Sequence, residues 1–290
     1  SQMNTNQKNR ILNIIANELR EQAEYIIIEN LKDLEAAEKS GVSKAFYDRL
    51  LLDKKRINAM AQSVDEIAIL EDPVGRIEGM KTRPSGIRVG QMRVPLGVIA
   101  VIYESRPNVT IDIAALCIKS GNAVILRGGE ESIHSNMVLA EIVQDVLERE
   151  GFSRNIVSLM SNLDRALVPL LLKRNDAIDI VIPRGGEGLV KMVTEESRIP
   201  LIKHEKGVCH LFIDECADET MANAIALNGK VQRPGVCNAI ETILIHKSYP
   251  HKKSLIKSLA DNHVEIRGCE KTVSISPELI KTASAEDWSS

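Results

Sequence analysis

The sequence predicts an α/β fold built on a parallel sheet covered on both faces. From Gly97 onward, short apolar runs rich in β-formers alternate with helical runs. The strand runs are apolar at successive positions, as strands buried on both faces must be. Turns containing arginine and glycine follow the carboxyl ends of two of them, where such sheets bind ligands. A length of 290 residues suggests about two domains.

Residues 5–70 read as helix, with no proline and a single glycine. Ile11, Ile14, Ile15 and Leu19 recur at helical spacing, as do Ile27, Leu31 and Leu34. Gly41 breaks the pattern as a C-terminal cap residue would. A second helical stretch, 43–70, ends before Pro73. The two stretches read as an amphipathic hairpin packed on a later core. Residues 73–95 are dense in proline and glycine. There Arg83, Arg88 and Arg93 interleave with Ile87, Val89 and Val94, the pattern of a short exposed β-hairpin. It reads equally as a plain surface element or as an arm reaching another subunit.

Strands are predicted at 97–103, 123–126, 156–160, 177–182, 200–202 and 209–213, with helices near 108–120, 133–149, 163–174 and 187–196. The first strand leads into Glu104-Ser105-Arg106-Pro107-Asn108. Asn108 or Ser105 can cap the next helix, or Asn108 can help free amides hold an oxyanion. The second strand ends in Arg127-Gly128-Gly129, either a tight turn or a close approach to phosphate or ribose. The fourth ends in Arg184-Gly185-Gly186 before a helix, the arrangement that cradles phosphates. It lacks the third glycine of the dinucleotide fingerprint, since position 191 is Lys191.

Among the cysteines, Cys237 has the most informative setting. It follows Gly235, lies near Lys230 and Arg233, and precedes an apolar strand over 240–245. The nearby cations favour a thiolate. The residue reads as either structural or nucleophilic. Cys117 reads as core. Cys216 and Cys269 sit in acidic or turn contexts expected to disfavour thiolates. No zinc-type spacing and no serine-hydrolase elbow occurs, so no metal site is expected.

Composition narrows the function classes. With 37 Lys+Arg against 40 Asp+Glu the net charge is -3, and aromatics are 3%. Neither a nucleic-acid footprint nor a base-stacking platform is expected. No apolar run reaches the ~18 residues of a membrane span. Five cysteines at irregular spacing fit a reducing compartment, so a cytoplasmic location is expected. Ser1 and Gln2 precede Met3 and are left out of the fold reading.

Five segments occur in order: Val94 to Thr110, Lys119 to Gly129, Ile182 to Gly186, Gly207-Val-Cys-His, and Gln232-Arg-Pro-Gly-Val-Cys-Asn-Ala-Ile-Glu-Thr. Together they closely resemble the gamma-glutamyl phosphate reductases, a branch of the aldehyde dehydrogenase superfamily. The resemblance implies a doubly wound parallel-sheet cofactor domain with N-terminal helices over 1–203, and a partial α/β catalytic domain over 204–290. It implies reduction of glutamyl phosphate by NADPH to glutamate 5-semialdehyde with release of phosphate, the second step of proline biosynthesis. Cys237 matches the catalytic thiol. Asn108 is the chosen oxyanion donor, although the superfamily's Trp-Asn-Phe-Pro loop falls on Glu104–Pro107 with no Asn at the matching position. Arg127, Gly128, Gly129, Arg184, Gly185 and Gly186 would line NADP, and Arg106 and Arg233 would hold the substrate. His204 stands where oxidising relatives carry a water-activating Glu, which agrees with phosphate-releasing chemistry.

The resemblance further implies a homo-oligomer and leaves glutamate 5-kinase as a candidate partner. Two other readings remain: a non-catalytic relative that binds that kinase, and another aldehyde dehydrogenase, which His204 disfavours. Family members are expected to continue past Trp288, so 290 residues alone are expected to turn over poorly.

Overall fold

A computed structural model describes residues 3–104, 106–203, 207–234, 236 and 238–288. The chain divides into two compact units, Ser1–Lys203 and His204–Ser290.

The first unit opens with four helices: α1 (Thr5–Glu21), α2 (Ala23–Lys39), α3 (Lys44–Leu50) and α4 (Lys54–Ile69). Two helical stretches were expected; the first divides at Gln22 without a side-chain cap, and the second divides where Asp53 takes a backbone amide. Asn4 and Gln7 form a reciprocal capping box that starts α1. Asp53 accepts from the Arg56 amide at 2.7 Å and starts α4. Gly41, at φ +66°, takes the left-handed position just past α2 that a β-carbon would oppose.

An antiparallel hairpin follows, β1 (Ile77–Thr82) with β2 (Arg88–Met92), exposed along nearly its whole length. Then the alternating part begins: β3 (Val98–Tyr103), α5 (Asn108–Ser120), β4 (Ala123–Arg127), α6 (Ile133–Arg149), β5 (Val157–Leu159), α7 (Leu167–Leu171), β6 (Ile180–Arg184) and α8 (Glu187–Glu196). The four strands form one parallel sheet in the order β5-β4-β3-β6.

Strand β3 shows why both faces are covered. Ile99, Val101 and Tyr103 enter a core shared with α1, α4, α5 and α6, whereas Ala100 and Ile102 enter a second core with Val168, Leu172 and Val193. A side-chain period of two feeds both layers from a single apolar run.

Three sequence expectations change. The strand expected at 200–202 reduces to a bridge between Leu201 and Val181. The strand expected from 177 begins at Ile180, after a turn in which the Ala177 and Ile178 amides donate to the Arg174 carbonyl. The helix expected over 163–174 shrinks to α7. Asn162 accepts from the Asp164 amide and Asp164 from the Ala166 amide, so local Asx turns take the donors a longer helix would use.

Two polar links tie the first two helices to later segments of the chain, α2 to α6 and α1 to the stretch after α4. Asp33 of α2 is 2% exposed and accepts from the His134 amide at 3.1 Å, the Ser135 amide at 2.8 Å and the Ser135 hydroxyl at 2.6 Å. It therefore caps α6 from another helix. Burial pushes its carboxyl above the ordinary value, against the pull of those hydrogen bonds. The second link is the ion pair Lys8–Asp72 at 2.9 Å, with Lys8 1% exposed. Burial alone would raise the Asp72 carboxyl, but hydrogen bonds from Lys8, Val74 and Thr5 and the Lys8 charge bring it below the ordinary value.

In the second unit, β7 (Cys209–Ile213) pairs in parallel with β8 (Ile240–Ile245) across α9 (Glu219–Val231). After α10 (Lys252–Asp261), β9 (Ile266–Gly268) pairs in parallel with β10 (Ile280–Thr282) across α11 (Glu270–Val273). Ile213, Ala226, Tyr249, Leu255 and Leu259 form its core.

Asp33→Ala leaves the α6 amides without their acceptor, and urea unfolding is expected to show a loss of about 2–4 kcal/mol. Asp72 behaves in the opposite electrostatic sense. Its depressed value means its stabilisation is complete above the ordinary Asp range and is lost as pH falls through the folded value. The stability gap between wild type and Asp72→Asn, measured by thermal melts, is expected to be full at about pH 7 and to narrow as pH falls below the ordinary Asp range.

Candidate functional site

The carboxyl ends of β3, β4 and β6 meet at one side of the sheet. Here the strand order reverses: the chain runs outward through β4 and β5, then returns to pair β6 on the other side of β3. Such a switch point leaves a crevice. A cleft of about 530 Å³ lies there, lined among others by Tyr103, Glu104, Arg127, Gly129 and Gly188.

Arg127 ends β4 and is 7% exposed. Its guanidinium turns inward, donating from Nη2 to the Leu163 carbonyl at 2.9 Å and from Nη1 to the Gly128 carbonyl. Its Nε is buried with no partner among the described residues. The residue thus braces its own turn and keeps one donor unspent. Gly128 has a packing reason to be glycine, because a β-carbon there would run onto the Asn136 amide. That amide belongs to a buried chain in which the Thr110 hydroxyl donates to Asn136 Oδ1 at 2.9 Å and Asn136 Nδ2 donates to the Ser132 hydroxyl at 3.0 Å. The Tyr103 hydroxyl joins it 2.7 Å from Thr110 Oγ1, and burial pushes Tyr103 up to about 12. Gly129 is close-packed too, since a β-carbon would meet the Glu131 carboxylate.

At the end of β6, Arg184 is exposed and Gly186 forms the N-cap of α8 without any side-chain cap of its own. The Gly186 amide instead donates to Glu104 Oε2 at 2.9 Å. Gly185 makes room for this contact: a β-carbon would stand 2.6 Å from the Glu104 carboxyl carbon.

Asn108 begins α5, but it does not cap it. The N-cap is Pro107, with no side-chain hydrogen bond. Asn108 Nδ2 donates along the helix to Asp112 Oδ2 at 2.8 Å. Burial raises the Asp112 carboxyl, while the Asn108 bond and the Arg184 charge pull it down. Neither Glu104 nor Asp112 was given a role in the sequence reading. The i,i+4 spacing of Asn108 and Asp112 on a predicted helix was the available signal for Asp112; the Glu104 contact spans 82 residues and has no local signal.

Arg106 is exposed between β3 and α5, and Arg233 is exposed after α9. Cys237, Gly235, Ser105, His204 and Glu205 lie outside the described residues. The remaining cysteines differ in setting. Burial pushes the Cys117 thiol up to about 12. The Cys216 thiol donates to Asp214, which raises it. The turn context of Cys269 was expected to disfavour its thiolate, and the structure reverses this. Thr272 lies 3.3 Å from Sγ, and that hydrogen bond lowers the thiol.

The sequence model of the aldehyde dehydrogenase family matches residues 1–277. The gamma-glutamyl phosphate reductase of Geobacter metallireducens is 50% identical over 286 residues, 98% of this chain and 68% of that protein. The chain belongs to the gamma-glutamyl phosphate reductase branch of the aldehyde dehydrogenase family. A second such reductase, from Caldanaerobacter subterraneus, is 49% identical over 99% of this chain and 69% of its own length. The chain thus spans about two thirds of these reductases.

The crystal structure of the Thermotoga maritima gamma-glutamyl phosphate reductase matches with a TM-score of 0.93 at 37% identity, covering 100% of this chain and 70% of that one. The Saccharomyces cerevisiae reductase matches at 0.65 and 32% identity over 96% of this chain and 71% of its own. The fold extends to more distant members. An acetylating aldehyde dehydrogenase of Geobacillus thermoglucosidasius matches at 0.62 with 20% identity over 93% of this chain and 56% of that one. Among the described residues no helix is long and apolar enough to cross a membrane.

Cysteine labelling tests these thiol settings. With iodoacetamide at about pH 8, Cys269 is expected to react faster than Cys216, both being exposed, because its lowered thiol is more ionised at that pH. Cys117 is expected to stay unlabelled until the chain unfolds. Peptide mass spectrometry reads all three rates separately.

Proposed function

We propose that the chain carries out NADPH-dependent reduction of glutamyl phosphate to glutamate 5-semialdehyde through a thioester on Cys237. The observation that carries this reading is the segment Gln232 to Thr242, which holds Cys237, in a chain 50% identical over 286 residues to a gamma-glutamyl phosphate reductase. In this reading the Cys237 thiolate attacks the acyl carbon and phosphate leaves with the electrons of the broken bond. The dinucleotide, when bound, supplies the hydride that reduces the thioester. The resulting thiohemiacetal collapses to aldehyde and returns the thiolate.

The other residues take supporting roles. Asn108 is assigned to the oxyanion. One amide hydrogen bonds to Asp112, which fixes which way the amide faces, and the second remains to donate. Arg106 and Arg233, both exposed, are assigned to the anionic groups of the substrate.

Three features support a dinucleotide in the crevice of the first unit. The cleft lies at the switch point, the α8 N-terminus brings amides with no side-chain cap of its own, and Arg127 keeps a buried donor without a partner among the described residues. Arg127 and Gly129 with Arg184 to Gly186 would hold it. Phosphate preference for NADPH over NADH rests on the resemblance. Ile77, Ile87 and Val94, each more than half exposed on and beside the hairpin, support the reading of that element as an arm onto a second copy.

The test compares the full-length protein with its Cys237→Ala variant for NADPH binding and for phosphate-dependent oxidation of glutamate 5-semialdehyde with NADP. The variant is expected to bind NADPH unchanged and to lose turnover by about 10³-fold or more. Turnover retained in the variant contradicts the thioester mechanism.

A further inference from the structure

Of the helices that start at the carboxyl edge of the sheet, α6 and α8 each have amides at their start covered by a carboxylate from elsewhere in the chain. They are covered in different ways. At α6, Asp33 is 2% exposed and accepts three hydrogen bonds, including two from consecutive amides. This carboxylate is locked into the core, and the α6 terminus is closed to any outside anion.

At α8, the carboxylate is Glu104. It is an exposed side chain, and its hydrogen bond to the helix start is the one from the Gly186 amide at 2.9 Å. It reaches that amide from the end of β3, across the switch point. The sequence at the helix start supplies no cap: Gly186 has no side chain, and Gly185 leaves the space that the Glu104 carboxyl fills. Arg127, whose buried Nε has no partner among the described residues, lines the same cleft as Glu104, an independent sign of an unfilled polar site there.

We infer that Glu104 is an internal competitor for the diphosphate of the dinucleotide: its carboxylate holds the α8 N-terminus in the free protein and must swing away when the cofactor binds. This inference rests on the proposed dinucleotide site and adds a residue that limits affinity for it. The physical reason is that two anions cannot share one set of amide donors, and the same helix end that favours the pyrophosphate favours the carboxylate. Glu104 can leave at little cost because its carboxylate returns to water. Asp33 cannot, because it would abandon buried donors. The device lowers cofactor affinity without touching the nicotinamide chemistry and keeps the helix start satisfied in the empty state.

The test measures binding of NADP, ADP and adenosine by calorimetry to wild type, Glu104→Ala and Glu104→Gln. ADP carries the diphosphate, and adenosine carries none. Both substitutions are expected to tighten NADP and ADP by about 3- to 10-fold and to leave adenosine within about twofold. Glu104→Gln keeps the side-chain shape, so it answers the question even if the alanine variant melts early. Unchanged or weakened ADP binding in both variants, with NADP still bound by wild type, overturns the competitor role and leaves the dinucleotide site standing. An equal gain for adenosine also overturns it, since the effect would then not concern the diphosphate. No NADP binding by any of the three proteins overturns both the inference and the site on which it rests.

Discussion

The burial of β3 on both faces is the constraint from which the rest of the first unit follows. A central strand with no solvent face needs an apolar residue at every position, and Val98 to Tyr103 supplies one. Its odd-numbered side chains hold the layer of α1, α4, α5 and α6, and its even-numbered ones hold the layer of α7 and α8. Because β4 pairs on one side and β6 on the other, the chain must change direction beside β3, and its carboxyl end becomes the floor of a crevice. The residues after β3 are thus placed between two strand ends by topology. Glu104, at the first of these positions, reaches the β6–α8 turn for that reason.

The polar groups at this edge form two sets with different tasks. The buried set comprises Asp33, Asn30, Ser132, Ser135, Asn136, Thr110 and Tyr103. Its members satisfy one another and the α6 terminus, and they fix the turn at Gly128 from below. The exposed or half-buried set of Glu104, Asn108 and Arg184 lies at the strand ends and helix starts around the crevice, and Glu104 lines it. Rigid support beneath a polar surface that can rearrange is the combination a binding site requires. Two of the glycines in the Arg-Gly-Gly turns also serve this support. Gly128 yields to Asn136 and Gly185 to Glu104, so their spacing reflects internal packing as well as any ligand.

Much of this was legible in the sequence because it is written in local pattern. The strands β7 and β8, the helices α5, α6 and α8, and the exposed hairpin all follow from apolar period and turn chemistry. What was not legible depends on which side chain wins a backbone amide. Asn162 and Asp164 shorten α7, and Asp53 divides what looked like one helix. Cys269 was misjudged because the hydroxyl of Thr272 sets its environment more than the turn it occupies. The cap expected of Asn108 fails because Pro107 takes that position, which leaves the amide free to pair with Asp112. Contacts between distant segments, such as Asp33 with α6, carry no signature in any short window.

On the proposed reading, the switch-point crevice of the first unit receives the dinucleotide and the closed start of α6 does not. A crystal structure of the chain soaked with NADP tests this most directly. The diphosphate is expected on the Gly186 amide at the start of α8, with the Glu104 carboxylate displaced from it. A dinucleotide bound elsewhere, or one bound with the Glu104–Gly186 hydrogen bond intact, would contradict it.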